Sequence, residues 1–563
     1  MAAVLLGAVA VLLMPAGAAA KPPKKEPKLE RASYPDMSTF SCRSDAIPIH
    51  PGQNTNLWGI SKTCPNATKI SGPADTSVFA QGSNAQGYVT RFKPSMVEIL
   101  PDGSLVKPPV WDLHLHHVVW LSPGLGGPVF AAGEEKTHVK APPGYGLRVG
   151  GDETWGLDYM IHALTAKGDR SVYITWEIDW VPADAPRGDI NPLRVQWMDV
   201  AGFPQIYPVF DAEQGFDRDG DGEYVFPDEV PTDPAEPGYE ERKKISPGHS
   251  WTVPRDLNLI TTYGHLHPGG LHVDLQVARD GPDAGEVDGD DPAEVRPLFR
   301  SDARYYEPAG AVSWDVSMEG TRSDWRIALK QGDTVSVSAT YDVKRASWYE
   351  SMGIMPLGIS TAPDPLAKDP FADDAAVRAM YDAGGILTHG RLPENRDKQA
   401  RKNLKLPDPT DLPGAGPLPS TGIEINAFEY SPGGYAARRG VPADLMRPPT
   451  IQPGQTVTFT NFDATQDMPD LDQAWHSITS CKAPCNRGSG IGYPLARGPI
   501  KFDSGQLGFD GDGIDLSGQS SVGVTTDSNV YTTPPLTKPG KTYTYFCRIH
   551  PFMRGSIRVK DKR

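Results

Sequence analysis

Near the end of the chain, Tyr545-Phe546-Cys547-Arg548-Ile549-His550-Pro551-Phe552-Met553-Arg554-Gly555 spaces a thiolate, an imidazole and a thioether as C-x2-H-x2-M. The three sit on one tight loop between two strand-like runs, so the fold must bring those strands together and aim the loop at a common point. The set suits one copper ion. The thiolate makes the site soft, the imidazole suits either oxidation state, and a weak axial Met tunes the potential. So short a loop supplies only three ligands. The expected fourth is His476, in Ala474-Trp475-His476-Ser477-Ile478.

Cysteine usage supports this reading. In an exported protein Cys42 pairs naturally with Cys64 and Cys481 with Cys485, which leaves Cys547 for the metal. Export itself is expected from the apolar run Ala2 to Met14 followed by Ala18-Ala19-Ala20 before Lys21. Residues 1–20 read as a signal peptide, too short to span a membrane, although no Lys or Arg precedes the apolar run. The protein is therefore expected to be secreted, extracellular or periplasmic, with no membrane span. The net charge of −15 leaves no basic stripe for phosphates and argues against nucleic acid as a partner.

A chain of 563 residues is too long for one core. Its 58 Gly and 56 Pro, with few helical periodicities, favour an all-β architecture. Thr334 to Val343, Ile423 to Phe428 and Thr456 to Thr460 alternate as sandwich strands do. The expected divisions after the signal peptide are an irregular disulfide-held segment (21–85), two β-sandwich domains (86–205 and 206–362), a linker (363–421) with a short helix near Ala375 to Tyr381, and a final sandwich (422–563).

Histidine is clustered in the middle. His114, His116 and His117 fall in one β-prone run. Adjacent side chains on a regular strand point to opposite faces, so His116 and His117 share a metal only if the strand bends or ends there. His265 and His267, at i and i+2, lie on one face of a strand and suit one metal. His162 alone would carry little weight, and Met352 alone reads as core filler. Imidazole clusters do not by themselves separate copper from zinc. Between the clusters, Asp217, Asp219, Asp221 and Asp228 occupy positions 1, 3, 5 and 12 of a loop with Gly222 at position 6 and Glu223 at 7. That is a calcium-loop pattern with Asp in place of the final Glu, and its expected role is structural.

These motifs carry two resemblances. From about Gly422 to Arg563 the chain resembles a cupredoxin, its ligand loop being similar to that of amicyanin-type blue copper proteins; His476, Cys547, His550 and Met553 carry the likeness. It implies a β-sandwich that transfers single electrons. A Cys481-x3-Cys485 loop and a long insertion before Tyr531 depart from that pattern. From roughly Tyr88 to Ser360 the chain resembles the two-domain core of peptidylglycine α-hydroxylating monooxygenase and stress-up-regulated nodulin-like proteins. The carrying residues are His116, His117 and His162, the last preceded by Gly146-Leu147-Arg148-Val149-Gly150, and His265, His267 and Met352. The resemblance implies an electron-relaying copper on the first set and an oxygen-activating copper on the second. Tyr263 stands where peptide-hydroxylating members carry the Arg that helps hold the substrate carboxylate, and Ile354 and Pro356 replace their Asn and Tyr, so a glycine-extended peptide is not expected as substrate.

The combined expectation is a secreted copper oxidoreductase with one blue copper, two further mononuclear coppers and structural calcium, served by a redox protein or small reductant. The alternative is a non-enzymatic copper-binding protein or electron carrier whose His-rich core is a scaffold.

Overall fold

The computed structural model describes residues 32–50, 56–110, 112–163, 168–185, 190–201, 209–212, 217–230, 235, 249–279, 295–306, 314–344, 348–396, 409–435, 447–463, 476–481, 501–504, 507, 529–547, 550 and 553–561. The expected signal peptide and Cys485 lie outside them. The fold is all-β, with Asp374–Asp382 the one α-helix among the described residues.

The longest sheet runs from Ile327–Leu329 through Leu257–Thr262, Leu357–Ser360, Asn191–Gln196, Tyr145–Gly150, Gln86–Ile99, Arg170–Pro182 and Ser38–Arg43 to Thr68–Ser71. Its centre is the antiparallel pairing of Gln86–Ile99 with Arg170–Pro182. A four-stranded sheet, Asn56–Lys62, Thr154–Ala163, Leu113–Ser122 and Gly127–Gly133, forms a second layer. Phe92, Trp120 and Trp176 pack in the core these strands share, with Phe92 stacked on Phe130 at 4.0 Å. Aromatic and β-branched residues fit such half-buried pleated surfaces.

A second core lies against a seven-stranded sheet built around Thr334–Asp342 and Gly270–Ala278. Here the alternation read from the sequence has a direct consequence. Val335, Val337 and Ala339 face Val277, Leu275 and Val273 across the ladder, and all six are buried. A third core, formed by Ile425, Phe459, Tyr545 and Ile557 among others, joins two four-stranded sheets in the C-terminal part.

Three features bear on the expected divisions. The segment up to residue 85 is not irregular: Ser38–Arg43 pairs with Arg170–Pro182, and Asn56–Lys62 pairs with Thr154–Ala163. The Cys42–Cys64 disulfide joins Ser38–Arg43 to the turn after Asn56–Lys62. Polar residues on these strands hid their alternation. Within the expected linker, Glu394 and Asn395 are tied to the core. The Asn395 side chain accepts a hydrogen bond from the Val110 N–H (3.0 Å) and donates to Asp315 (3.1 Å), and Glu394 reaches buried Lys136 at 3.4 Å. The sheet also crosses the expected boundary at 205, because Asn191–Gln196 pairs with Leu357–Ser360.

Candidate metal centres

In the C-terminal sandwich, strand Thr542–Phe546 delivers Cys547, and Arg554–Val559 begins just after Met553. The loop closes on itself: the Cys547 N–H donates to the Met553 carbonyl (3.1 Å) and the Met553 N–H to the His550 carbonyl (2.8 Å). His476 Nδ1 lies 3.1 Å from His550 Nδ1, and the Cys547 Sγ lies 3.9 and 3.6 Å from these two atoms. A trigonal ion bound at about 2.0 Å to nitrogen and about 2.3 Å to sulfur needs about 3.5 Å between the nitrogens and about 3.7 Å from each to the sulfur, so the set fits a metal with shifts of only about 0.4 Å or less. Met553 packs in the same core as Cys547.

The surroundings prepare these donors. The Ser477 and His550 N–H groups each donate to Cys547 Sγ at 3.3 Å. Burial pushes the thiol up, but the hydrogen bonds from His476 and His550 outweigh it and hold Cys547 well below the usual thiol range. Burial likewise opposes charge on His476, while the Asp463 hydrogen bond and Cys547 raise it. Asp463 is fixed by N–H donors from Ala427 (2.7 Å) and Phe428 (3.0 Å). Phe428 stands edge-on to both ligand rings, at 5.2 Å from His476 and 4.8 Å from His550. Neither Asp463 nor Phe428 was singled out in the sequence, where no ligand-like spacing marks them.

In the middle of the chain, the bend that His116 and His117 require is present. His117 pairs with Met160 and Leu115 with Ile161, leaving His116 as the extra residue of a bulge. The bulge shifts the alternation by one, so His114 and His117 oppose His162 and Met160, two positions of one strand face. The grouping by geometry differs from the expected trio of His116, His117 and His162. The metal-ligating atoms of His114, His116 and His162 all lie within 4.8 Å of one another, whereas His117 is outside that group. His114 lies directly across the ladder from His162, and its i, i+2 spacing to His116 was the available signal.

The other set is carried by the short strand His265–Leu266, paired with Gly353–Ile354. His265 Nδ1 lies 3.0 Å from Glu135 Oε1, while its buried Nε2 has no hydrogen-bond partner. A carboxylate on one ring nitrogen, with the other left open, is the usual posture of a metal-ligating His. The Tyr341 hydroxyl accepts from the His267 N–H (3.2 Å) and the Met352 N–H (3.0 Å), which ties the backbones of the two expected ligands together. Burial pushes His114 and His117 down to about 3, and burial followed by facing imidazoles takes His116 and His162 well below the ordinary range. Trp314, whose ring lies 4.6 Å from that of His116, belongs to the second core. Phe546, next to Cys547, packs with the second core.

In the acidic loop, Asp217, Asp219 and Asp221 present carboxylates within 4.8 Å of one another. Here Glu229, not Asp228, turns back: it accepts from the Arg218 N–H (2.8 Å) and the Val225 N–H (2.6 Å). Asp228 is instead raised by burial and by Asp274. Glu223 is exposed, its N–H donating to Asp221. Cys481 is disulfide-bonded, and no described helix is long and apolar enough to cross a membrane.

No protein-family model matches the chain, and no curated protein matches it. Among solved structures it is similar to the copper-containing nitrite reductase (NirK) from Thermus scotoductus SA-01, with a TM-score of 0.14 and 14% identity over 54% of this chain and 55% of that one. The match thus spans little more than half of that protein's length. A second similarity, to the structure of infectious bursal disease virus Gx strain, has a TM-score of 0.15 and 10% identity over 61% of this chain and 75% of that one. Likenesses this low carry no argument about function.

Proposed function

We propose that this chain is a secreted copper protein in which an electron-transfer site on His476, Cys547, His550 and Met553 works with a copper-binding imidazole core, as a monooxygenase-like oxidoreductase. The observation that carries the reading is the convergence of two imidazole Nδ1 atoms and one free, buried thiol at metal-binding separations. Copper bound there would supply one-electron redox chemistry. The chain's own groups do the rest: two N–H donors hold the thiolate, Asp463 fixes the His476 ring, and Phe428 covers the ligand rings. Phe546, next to Cys547, shares the second core with Trp314, which packs on the imidazoles, and this supports electron exchange within one chain without a diffusional step. The Asp217, Asp219 and Asp221 loop is read as a structural calcium site, and the Cys42–Cys64 disulfide fits an oxidising compartment.

The test is anaerobic reduction of the copper-loaded protein followed by mixing with oxygen. The intense blue band, absent from Cys547→Ser, should return faster in wild type than in His162→Ala/His267→Ala. Equal rates would remove the link between core and electron site. A second reading, an electron carrier without turnover, is favoured by burial: His114, His116, His162, His265 and His267 are each no more than 5% exposed. Catalytic oxygen consumption with a reductant, lost in Met352→Ala, would exclude it.

A further inference from the structure

We propose that the two imidazole sets of the core form one dinuclear chamber, in which two metal ions share a wall at His116 and His267, rather than two separated mononuclear sites. The proposal rests on reading the core as metal-binding and goes beyond it in the number, spacing and coupling of the ions.

Ring separations decide the point. Within the first set, the centroids of His114 and His162 are 4.8 Å apart, those of His116 and His162 4.2 Å, and those of His114 and His116 6.1 Å. Within the second, His265 and His267 are 5.1 Å apart. Between the sets, His116 and His267 are 4.3 Å apart. The gap between sets is shorter than most gaps inside them, so no layer of protein divides the chamber. His117, 5.4 Å from His116, extends the same cluster.

One aromatic ring spans both halves. Trp314 lies 4.7 Å from His114, 4.6 Å from His116 and 5.1 Å from His267. Two separated sites would have two separate surroundings; here a single indole packs on ligands of each. The floor is also shared: a Cβ on Gly133 would lie 2.6 Å from His265 Cε1 and 2.7 Å from the His116 carbonyl oxygen. Glycine there allows the two histidine-bearing segments to approach.

The chamber is built for cations without supplying their charge. His162 Nε2 and His265 Nε2 are buried and have no hydrogen-bond partner, although such atoms are normally satisfied. Glu135 is a carboxylate at the edge, and it is already engaged by His265 and by the Gly133 N–H. Two divalent ions in a neutral imidazole shell require anions from outside. The ligand class that fits so enclosed a space is a small bridging species, such as hydroxide, azide or a dioxygen-sized molecule. Paired sites of this kind hold their ions about 3.5–4 Å apart.

The test uses the full chain carrying Cys547→Ser, which removes the blue signal, loaded with copper(II) and freed of excess. Metal analysis should give about two coppers bound in the core. Electron spin resonance should count clearly fewer spins than coppers, with a half-field transition, because neighbouring copper(II) ions couple. His116→Ala should abolish the half-field signal. Two coppers with a full spin count and no half-field signal would overturn the dinuclear chamber while leaving copper binding intact. A single copper would also overturn it. No copper would overturn the copper-core reading as well. If Cys547→Ser fails to fold, wild-type protein loaded with zinc and measured by X-ray absorption provides the second arm: metal–metal scattering supports the chamber, and its absence at full loading counts against it.

Discussion

His476 is held from both sides: its Nε2 lies 2.9 Å from Asp463 Oδ2, and its Nδ1 faces His550 Nδ1 at 3.1 Å. The carboxylate fixes the tautomer that leaves Nδ1 free to ligate and makes the ring a better donor. Asp463→Ala should therefore retain the blue centre but bind copper about 10–100-fold more weakly. Competitive titration of copper against a chelator checks this. Unchanged affinity would mean that the Asp463 contact is only structural.

Phe428 stands edge-on to both ligand rings and is half-buried. Phe428→Ala should admit water and small reagents to the ligand edge, speeding reduction of the blue centre by a small reductant. The loss of stability should be only about 1 kcal/mol, since a half-buried ring gives up less than the 1.5–3 kcal/mol of a fully buried one. Stopped-flow reduction and chemical denaturation measure the two effects separately.

The electron site was legible in the sequence because its ligands are local: Cys547, His550 and Met553 sit within one turn-forming loop, and the odd cysteine count marks the thiolate. The supports were not. Asp463 and Phe428 reach the site from the connections flanking other strands, and nothing in their spacing announces it. The middle core was legible as residue types but not as an arrangement. Counting two residues per strand repeat separates His116 from His117, and only the bulge opposite Met160–Ile161 puts His114 across from His162 and His117 on the same face. In the acidic loop the spacing of Asp217, Asp219 and Asp221 was legible, and the carboxylate that turns back to them was not. The carboxylate that returns to the loop is Glu229, one residue after Asp228. The all-β class was accessible from Val335, Val337 and Ala339, whereas the polar strand Thr68–Ser71 carries no such alternation.

Lys136 is 2% exposed and lies between Glu134 at 3.1 Å and Glu394 at 3.4 Å. Burial opposes its charge, but the two carboxylates raise it. Glu134 also accepts the Leu115 N–H (2.9 Å), so the triad is attached to the histidine strand. Lys136→Ala should destabilise the protein by about 3–5 kcal/mol, because it leaves buried carboxylates without their cation. Lys136→Met with Glu134→Gln should recover part of that loss. Denaturant midpoints at constant slope check both.

The imidazole core should make the metal-free protein acid-sensitive, and the sign follows from burial. His114 and His117 are pushed down to about 3 by burial, so both stay neutral in the fold below the pH at which the unfolded chain takes up protons. The unfolded state then binds more protons, and stability falls as pH falls from about 6.5 toward about 3. Each such histidine costs up to about 1.4 kcal/mol per pH unit in that window, and the full stability is present above it. The melting temperature of chelator-treated protein should drop steeply between about pH 6.5 and 5. His114→Gln should flatten the drop by about one proton's worth of slope. Metal-loaded protein should hold its melting temperature to lower pH, since bound metal must be displaced before the imidazoles can protonate. If metal-free and metal-loaded proteins lose stability along the same pH curve, the buried imidazoles are not what titrates, and the core does not hold the metal.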